Sequence, residues 1–209
     1  MVTNTVLNFL NSGISPPNFN DTNIVLIPKV KEPKLVTDYR PISLCNVVYK
    51  MASKAIANRL KKILPSIISD TQCAFMHRRL ITDNVIVAFE TTHHISQKRG
   101  GKIGEMALKL DMSKAYDRVE WACLDKIMEK LDFVEHWRRL IMRCVTTVSY
   151  AFNINGRPRG RIIPTRGIRQ SDPLSPYLFL LCAEGLSALI KSVVESGSLE
   201  GLAVCCGGP

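Results

Sequence analysis

Three short stretches of this chain carry side chains whose types and spacing suit work on a phosphorylated substrate. The first is Leu110-Asp111-Met112-Ser113-Lys114-Ala115-Tyr116-Asp117. Asp111 stands at the end of an alternating segment and is followed by a tight turn, a good place to hold a hard cation. Mg2+ takes oxygen ligands, commonly one or two carboxylates together with substrate phosphates. Backbone N–H groups of the turn can meet those phosphates at the start of the next helix. Taken alone, an aspartate at a strand end is more often a cap or turn residue. The second stretch runs from Arg166 to Phe179 (RGIRQSDPLSPYLF). Helix capping accounts for Asp172 and Pro173. Arg169 and Gln170 lie on the loop before that helix with no capping role, and a polar loop held by a capped helix suits contact with a base or sugar. The third joins Ile27-Pro28-Lys29 to Asp38-Tyr39-Arg40-Pro41-Ile42-Ser43-Leu44. There Lys29 and Arg40, at the two ends of a hairpin-like turn, can clamp a triphosphate from the side opposite the metal.

The elements that must position these residues can be read from period and punctuation. Weak helical spacing (Val2, Val6, Leu7, Leu10) predicts a helix to about Leu10 with Gly13 as its stop. Asn23–Pro28 is β-branched, apolar and ended by proline, so it reads as a short buried strand, and Lys29–Asp38 reads as a turn. Asn46 caps a predicted helix to about Leu64, where Pro65 ends it, and Asp83 caps another to about Lys98, broken by Arg99-Gly100-Gly101. In Glu105–Asp111 the residues Met106, Leu108 and Leu110 alternate with Ala107, Lys109 and Asp111, which predicts a strand with one buried face. Helices follow at about Glu120–Leu131 and Glu135–Cys144. Tyr150–Asn153 and Arg161–Thr165 flank Asn155-Gly156 as a β-hairpin. A last helix is predicted from Pro173, with Asp172 as N-cap, to about Glu195. Strands and helices without a regular βαβ rhythm indicate an α+β fold.

With 209 residues, 46% hydrophobic and 22% charged, the chain is sized for one soluble domain or two small subdomains sharing a core. No apolar run is expected to approach the roughly 18 residues of a membrane span, and MVTNTVLNFLNSG lacks the basic start of a signal peptide. The seven cysteines are odd in number, scattered and free of C-x-x-C pairs, and are read as reduced, mostly buried thiols of an intracellular protein. The net charge of +10 is concentrated in two blocks. Lys29 to Lys62 holds nine basic residues against two acidic ones, and Arg138 to Arg169 holds eight arginines and no carboxylate. Either block can be a solvated face. The second, all arginine, leans towards phosphate and base contact, with Arg157, Arg159, Arg161 and Arg169 as candidate nucleic-acid contacts.

The order IPK, DYRPISL, LDMSKAYDRVEW, RGIRQSDPLSPYLF resembles the reverse transcriptases of LINE-type, non-LTR retrotransposons, of the kind common in plant genomes, from about Thr22 to Leu189. The resemblance implies the fingers and part of the palm of a right-hand polymerase, with fingers at 1–102, palm at 103–209 and a border hairpin near 148–166. It implies two Mg2+ ions, an RNA template, a DNA primer and dNTPs, no membrane, and a place in nucleus and cytoplasm. Asp111 then matches the first metal-binding aspartate, with the Met112 carbonyl beside the second metal. Tyr116 matches the aromatic that excludes a ribonucleotide 2′-OH, although without the motif it would read as a core aromatic. Lys29 and Arg40 match residues gripping the triphosphate, and Gln170 one packed near the nucleotide sugar and template. Two departures are visible. Ser171 stands where the family normally has glycine, so crowding or strain is expected there. The family's aromatic-x-Asp-Asp motif does not occur in these residues, and the expectation is a chain cut before it. Asp117, Asp125, Glu129 and Asp172 do not read as substitutes, so little or no polymerase activity is expected from these residues alone. The alternative is a non-catalytic nucleic-acid-binding remnant that uses the basic blocks.

Overall fold

The computed structural model describes residues 2–100 and 104–202. Gly101, the 102/103 boundary, Cys205 and Cys206 lie outside the described residues. Helix α1, Val2–Ser12, ends as read: the Gly13 N–H closes on the Phe9 carbonyl at 2.8 Å, with Gly13 at φ +72°. Strand β1, Asp21–Pro28, pairs antiparallel with β2, Tyr39–Cys45. A 3-10 turn at Val36–Asp38 joins them, tied by the Asp38 carboxylate, which accepts from the N–H groups of Lys34 and Leu35 at 2.9 Å. These two bonds hold the Asp38 carboxyl below its ordinary range.

Helix α2, Val47–Ile67, begins at Asn46, whose side chain accepts from the Val48 N–H at 2.9 Å. Pro65 does not end it. It sits in the last turn, and the helix closes only at Ile68, whose N–H reaches the Leu64 carbonyl. Helix α3, Ile81–Gln97, starts at Leu80 rather than at an Asp83 cap and has no buried residue. Helices α4, Trp121–Lys130, and α5, Glu135–Thr146, follow, then strands β3, Ser149–Ile154, and β4, Arg157–Ile162. The last helix, α6, spans Ser175–Glu195 and starts two residues later than predicted. Pro176 is in its first turn, while the Asp172 carboxylate accepts from the Leu174 N–H at 2.9 Å, holding the turn ahead of the helix.

The strands form one sheet in the order β2-β1-β3-β4, with β1 and β3 parallel and both outer pairs antiparallel. The mixed α and β content agrees with an α+β polymerase-type fold. Register places Thr22, Ile24, Ser43, Cys45, Tyr150 and Phe152 on one face, and the first four are buried. One apolar core joins α1, α2, α4, α5 and the start of α6, including Phe9, Tyr49, Ile56, Leu124, Ile141 and Leu178. Residues before 102 and after 103 therefore share a single core. At the crossing of α4 and α6, a Cβ on Gly185 would lie 2.8 Å from the Ile127 methyl, so glycine lets the helices approach.

Two further expectations fail. Glu105–Asp111 forms no strand: it runs as irregular chain with Met106, Leu108 and Leu110 two-thirds or more exposed. Alternation alone cannot make a strand, because the backbone needs a hydrogen-bonding neighbour and no described residue pairs with it. The second concerns α6, which by length and composition is long and apolar enough to cross a membrane. It carries Glu184 and Lys191; its first turns (Tyr177, Leu178, Leu180, Leu181) are buried in the core, while the apolar residues of its second half (Leu189, Ile190, Val193, Val194) are exposed.

Candidate active site

Backbone hydrogen bonds draw the three chemically suggestive stretches together. Tyr116 and Asp117 lie in a 3-10 turn, Ala115–Arg118, entered through Lys114 at φ +53°. Its Tyr116 carbonyl accepts from the Ile168 N–H at 2.9 Å, and the Val119 carbonyl accepts from the Gly167 N–H at 2.8 Å. The Trp121 indole N–H donates to the Gly167 carbonyl at 2.8 Å. Gly167 sits at φ +88°, and a Cβ there would lie 3.2 Å from the Asp117 carbonyl oxygen. Only glycine fits this joint without strain. Three residues on, the Gln170 carbonyl accepts from the Ser43 N–H of β2 at 3.3 Å. The result is a cavity of about 280 Å³ lined by Ser43, Asp117, Tyr150, Phe152, Ile168 and Gln170 among others. Its floor is the sheet face described above. Burial pushes the Tyr150 phenol up to about 12, so it stays a neutral donor.

Arg169, expected to reach for a polyanion, is instead 5% exposed. Its guanidinium pairs with Asp172 at 3.0 Å and donates to Asn20 Oδ1 at 2.6 Å, Thr22 Oγ at 3.1 Å and the Cys144 carbonyl at 2.8 Å. It also lies 4.0 Å above the Tyr49 ring, and the Tyr49 hydroxyl donates at 2.6 Å to the same Asp172 oxygen that Arg169 pairs with, while the other oxygen takes the Leu174 N–H. Burial raises the Tyr49 phenol well above its ordinary value, which keeps that proton in place. The physical reason for the correction is satisfaction: a buried cation needs every N–H paired, and here β1, α2 and α5 supply the partners. The sequence signal was the three-residue spacing of Arg169 and Asp172. Nothing local pointed to Tyr49 or Asn20.

The remaining candidates fall in different places. Tyr116 is half-buried with its ring 5.3 Å from Phe179, and it is Asp117 rather than Tyr116 that lines the cavity. Asp111 and Met112 are exposed on the irregular segment. Ile27 and Arg40 are paired in register and so share a face, the one opposite the cavity, and the Lys29 ammonium donates to the Thr37 carbonyl at 2.9 Å. Arg157 and Arg159 pair with Ile154 and Phe152 and lie on the cavity's side of the sheet. A bulge at Gly160, φ +69°, turns Arg161 to the other side. These three arginines have no ion pair among the described residues, whereas Arg138, Arg139 and Arg166 are paired with carboxylates. Ser171 holds φ +72°, the left-handed backbone that its replacement of glycine foreshadowed.

The model of the family "Reverse transcriptase (RNA-dependent DNA polymerase)" matches residues 27–206. The chain is a member of the reverse transcriptase family. Among its relatives, an uncharacterized protein of transposon TX1 from Xenopus laevis is 30% identical over 79% of this chain and 12% of its own length. A Retrovirus-related Pol polyprotein from a type-2 retrotransposable element of Drosophila melanogaster is 28% identical over 92% of this chain and 18% of its own. An uncharacterized mitochondrial protein of Arabidopsis thaliana is 53% identical over 28% of this chain and 48% of its own length. The chain thus spans less than half of each of these relatives. With its four ordered motifs, it is a reverse transcriptase domain of a LINE-type element. The family's Mg2+ chemistry asks for several converging carboxylates. Among the described residues no group of three His, Cys, Asp or Glu side chains comes together, so they do not by themselves fit a two-metal centre.

Proposed function

We propose that this chain supplies the nucleotide pocket of an RNA-directed DNA polymerase, working in the longer protein on an RNA template, a DNA primer and dNTPs. The carrying observation is the convergence of three motifs on one cavity, through Ser43, Asp117 and Gln170. In this reading Gln170 meets the sugar and base of the incoming deoxynucleotide, and Tyr116, steadied by Phe179, limits room at the 2′ position. Lys29 and Arg40 contact phosphates at the end of the β1–β2 hairpin. Arg157 and Arg159 contact the backbone of the nucleic acid beside the pocket, and Arg161 does so from the opposite face. Asp111, with the Met112 carbonyl, is the residue offered to a divalent cation. Residues 1–102 correspond to fingers and 103–209 to palm, joined through the sheet that β3 and β4 complete.

Because Asp111 has no converging carboxylate set among the described residues, these 209 residues bind but do not polymerise unaided. Primer extension on an RNA template with dNTPs and Mg2+ checks this. No extended product is expected. Robust extension that Asp111→Ala abolishes would contradict it.

A further inference from the structure

Far from the cavity, at the other end of α2, Phe75 is 58% exposed and sits at φ +58°. A bulky aromatic rarely enters this backbone region, and it persists only where the surroundings over-determine it. Here they do. Arg79 donates to the Ser69 carbonyl at 2.6 Å and the Gln72 carbonyl at 2.8 Å, and pairs with the loop's own carboxylate, Asp70, at 3.0 Å. Ser69 is fixed to Glu184 of α6 at 3.0 Å, and Asn84 of α3 donates to the Thr71 carbonyl at 3.1 Å. Cys73 and Met76 point into the protein. A loop braced on both sides and anchored inward thus holds one aromatic ring outward, a use of the ring that packing does not explain.

The ring borders a groove of about 510 Å³ whose rim includes Lys61, Lys62, Pro65 and His77. Arg78 is exposed beside it at φ +65°. At 3.6 residues per turn, Lys50, Lys54 and Lys61 fall within about 40° of one another and form a stripe along α2 towards the groove. Lys50, Lys54, Lys62 and Arg78 form no ion pair among the described residues, and the Lys61 ammonium lies 5.4 Å above the Tyr177 ring. The stripe begins next to the nucleotide cavity, because α2 follows directly on β2, whose Ser43 holds Gln170. From Val47 to Pro65 the helix covers about 27 Å.

We infer that this side of α2 and the 70–80 loop form a track for single-stranded nucleic acid, with Phe75 stacking on a base and the lysine stripe following the phosphates. The inference rests on the polymerase reading above and names where a strand runs once it leaves the pocket. The lysine stripe with Arg78 outweighs the exposed Asp70 carboxylate, which Arg79 pairs; net positive charge selects a polyanion, and the exposed ring selects one with free π-faces. A duplex keeps its bases stacked inside and offers the ring nothing.

The test is fluorescence anisotropy of the full chain with a labelled single-stranded oligouridylate, and with a duplex of equal length, over a range of salt. Phe75→Ala is expected to weaken single-strand binding about tenfold, with the salt dependence kept, Phe75→Trp to bind like the wild type, and duplex binding to stay as it was. Lys54→Gln with Lys61→Gln is expected to flatten the single-strand salt slope by about 0.7 per lysine. Thermal melting of each variant separates a binding effect from misfolding, and the lysine variant gives a second reading if Phe75→Ala melts early. Wild-type affinity in both Phe75→Ala and the lysine variant would overturn the track and leave the polymerase reading standing. Equal losses on single strand and duplex in Phe75→Ala would also overturn it. If the wild-type chain bound no single strand at low salt, both would fall.

Discussion

Arg169 and Asp172 face one another at 3.0 Å with side chains almost wholly out of water. Removing one partner of such a pair leaves an uncompensated buried charge, which costs about 3–5 kcal/mol. Arg169→Ala is therefore expected to lose stability of that order in chemical denaturation. Tyr49→Phe, which deletes one hydrogen bond to the carboxylate, should lose about 1.5–3 kcal/mol. If both variants unfolded at the wild-type midpoint, the network would have no structural role. Ser171 makes the opposite case. A non-glycine residue in the left-handed region costs about 1–2 kcal/mol, part of which glycine's greater chain entropy offsets. Ser171→Gly should stabilise the chain by about 0.5–1 kcal/mol by the same measurement, and a loss would show that the serine contributes something beyond its strain. Ser171 was legible because a missing glycine names its own problem. Arg169 was not, since apart from Asp172 its hydrogen-bond partners stand 25 to 149 positions away.

At the level of elements, the joint between the 3-10 turn and the loop before α6 depends on Gly167. Gly167→Ala would put a methyl group 3.2 Å from the Asp117 carbonyl at a backbone angle alanine disfavours. The expected outcome is a loss of about 1–2 kcal/mol or more in stability, with weaker dNTP binding because Gln170 lies three residues on. Wild-type stability and binding in that variant would show that the joint does not position the pocket. Elements with their own punctuation were readable: Gly13 closing α1, Asn46 capping α2, Asn155-Gly156 turning β3 into β4. Strand β2 was read only as one arm of a hairpin-like turn, because Pro41 and Arg40 hide its alternation. Glu105–Asp111 was over-read, since its pattern is that of a strand and its pairing is a property of other residues. The bulge at Gly160, which separates Arg161 from Arg157 and Arg159, has no signature beyond a glycine in a strand.

For the whole molecule, one core holds the helices under a four-stranded sheet, and the cavity lies where that sheet meets the loop before α6. The four motifs made the family legible at the outset, since their order is independent of how the chain packs. Which of their residues meet was not legible: Ser43 and Asp117 line the cavity, and Arg169 borders it with its guanidinium tied inward to Asp172, Asn20 and the Cys144 carbonyl. Charge divides in the same way. Much of the arginine block is paired internally, and the exposed cations without an ion pair among the described residues include those on β4 and along α2. The central claim is that three motifs build one deoxynucleotide pocket. Equilibrium titration of the full chain with a dNTP, for wild type and Gln170→Ala, tests it most directly. Saturable binding that Gln170→Ala weakens about tenfold is the expected result. No saturable binding, or equal affinity in the two proteins, would contradict it.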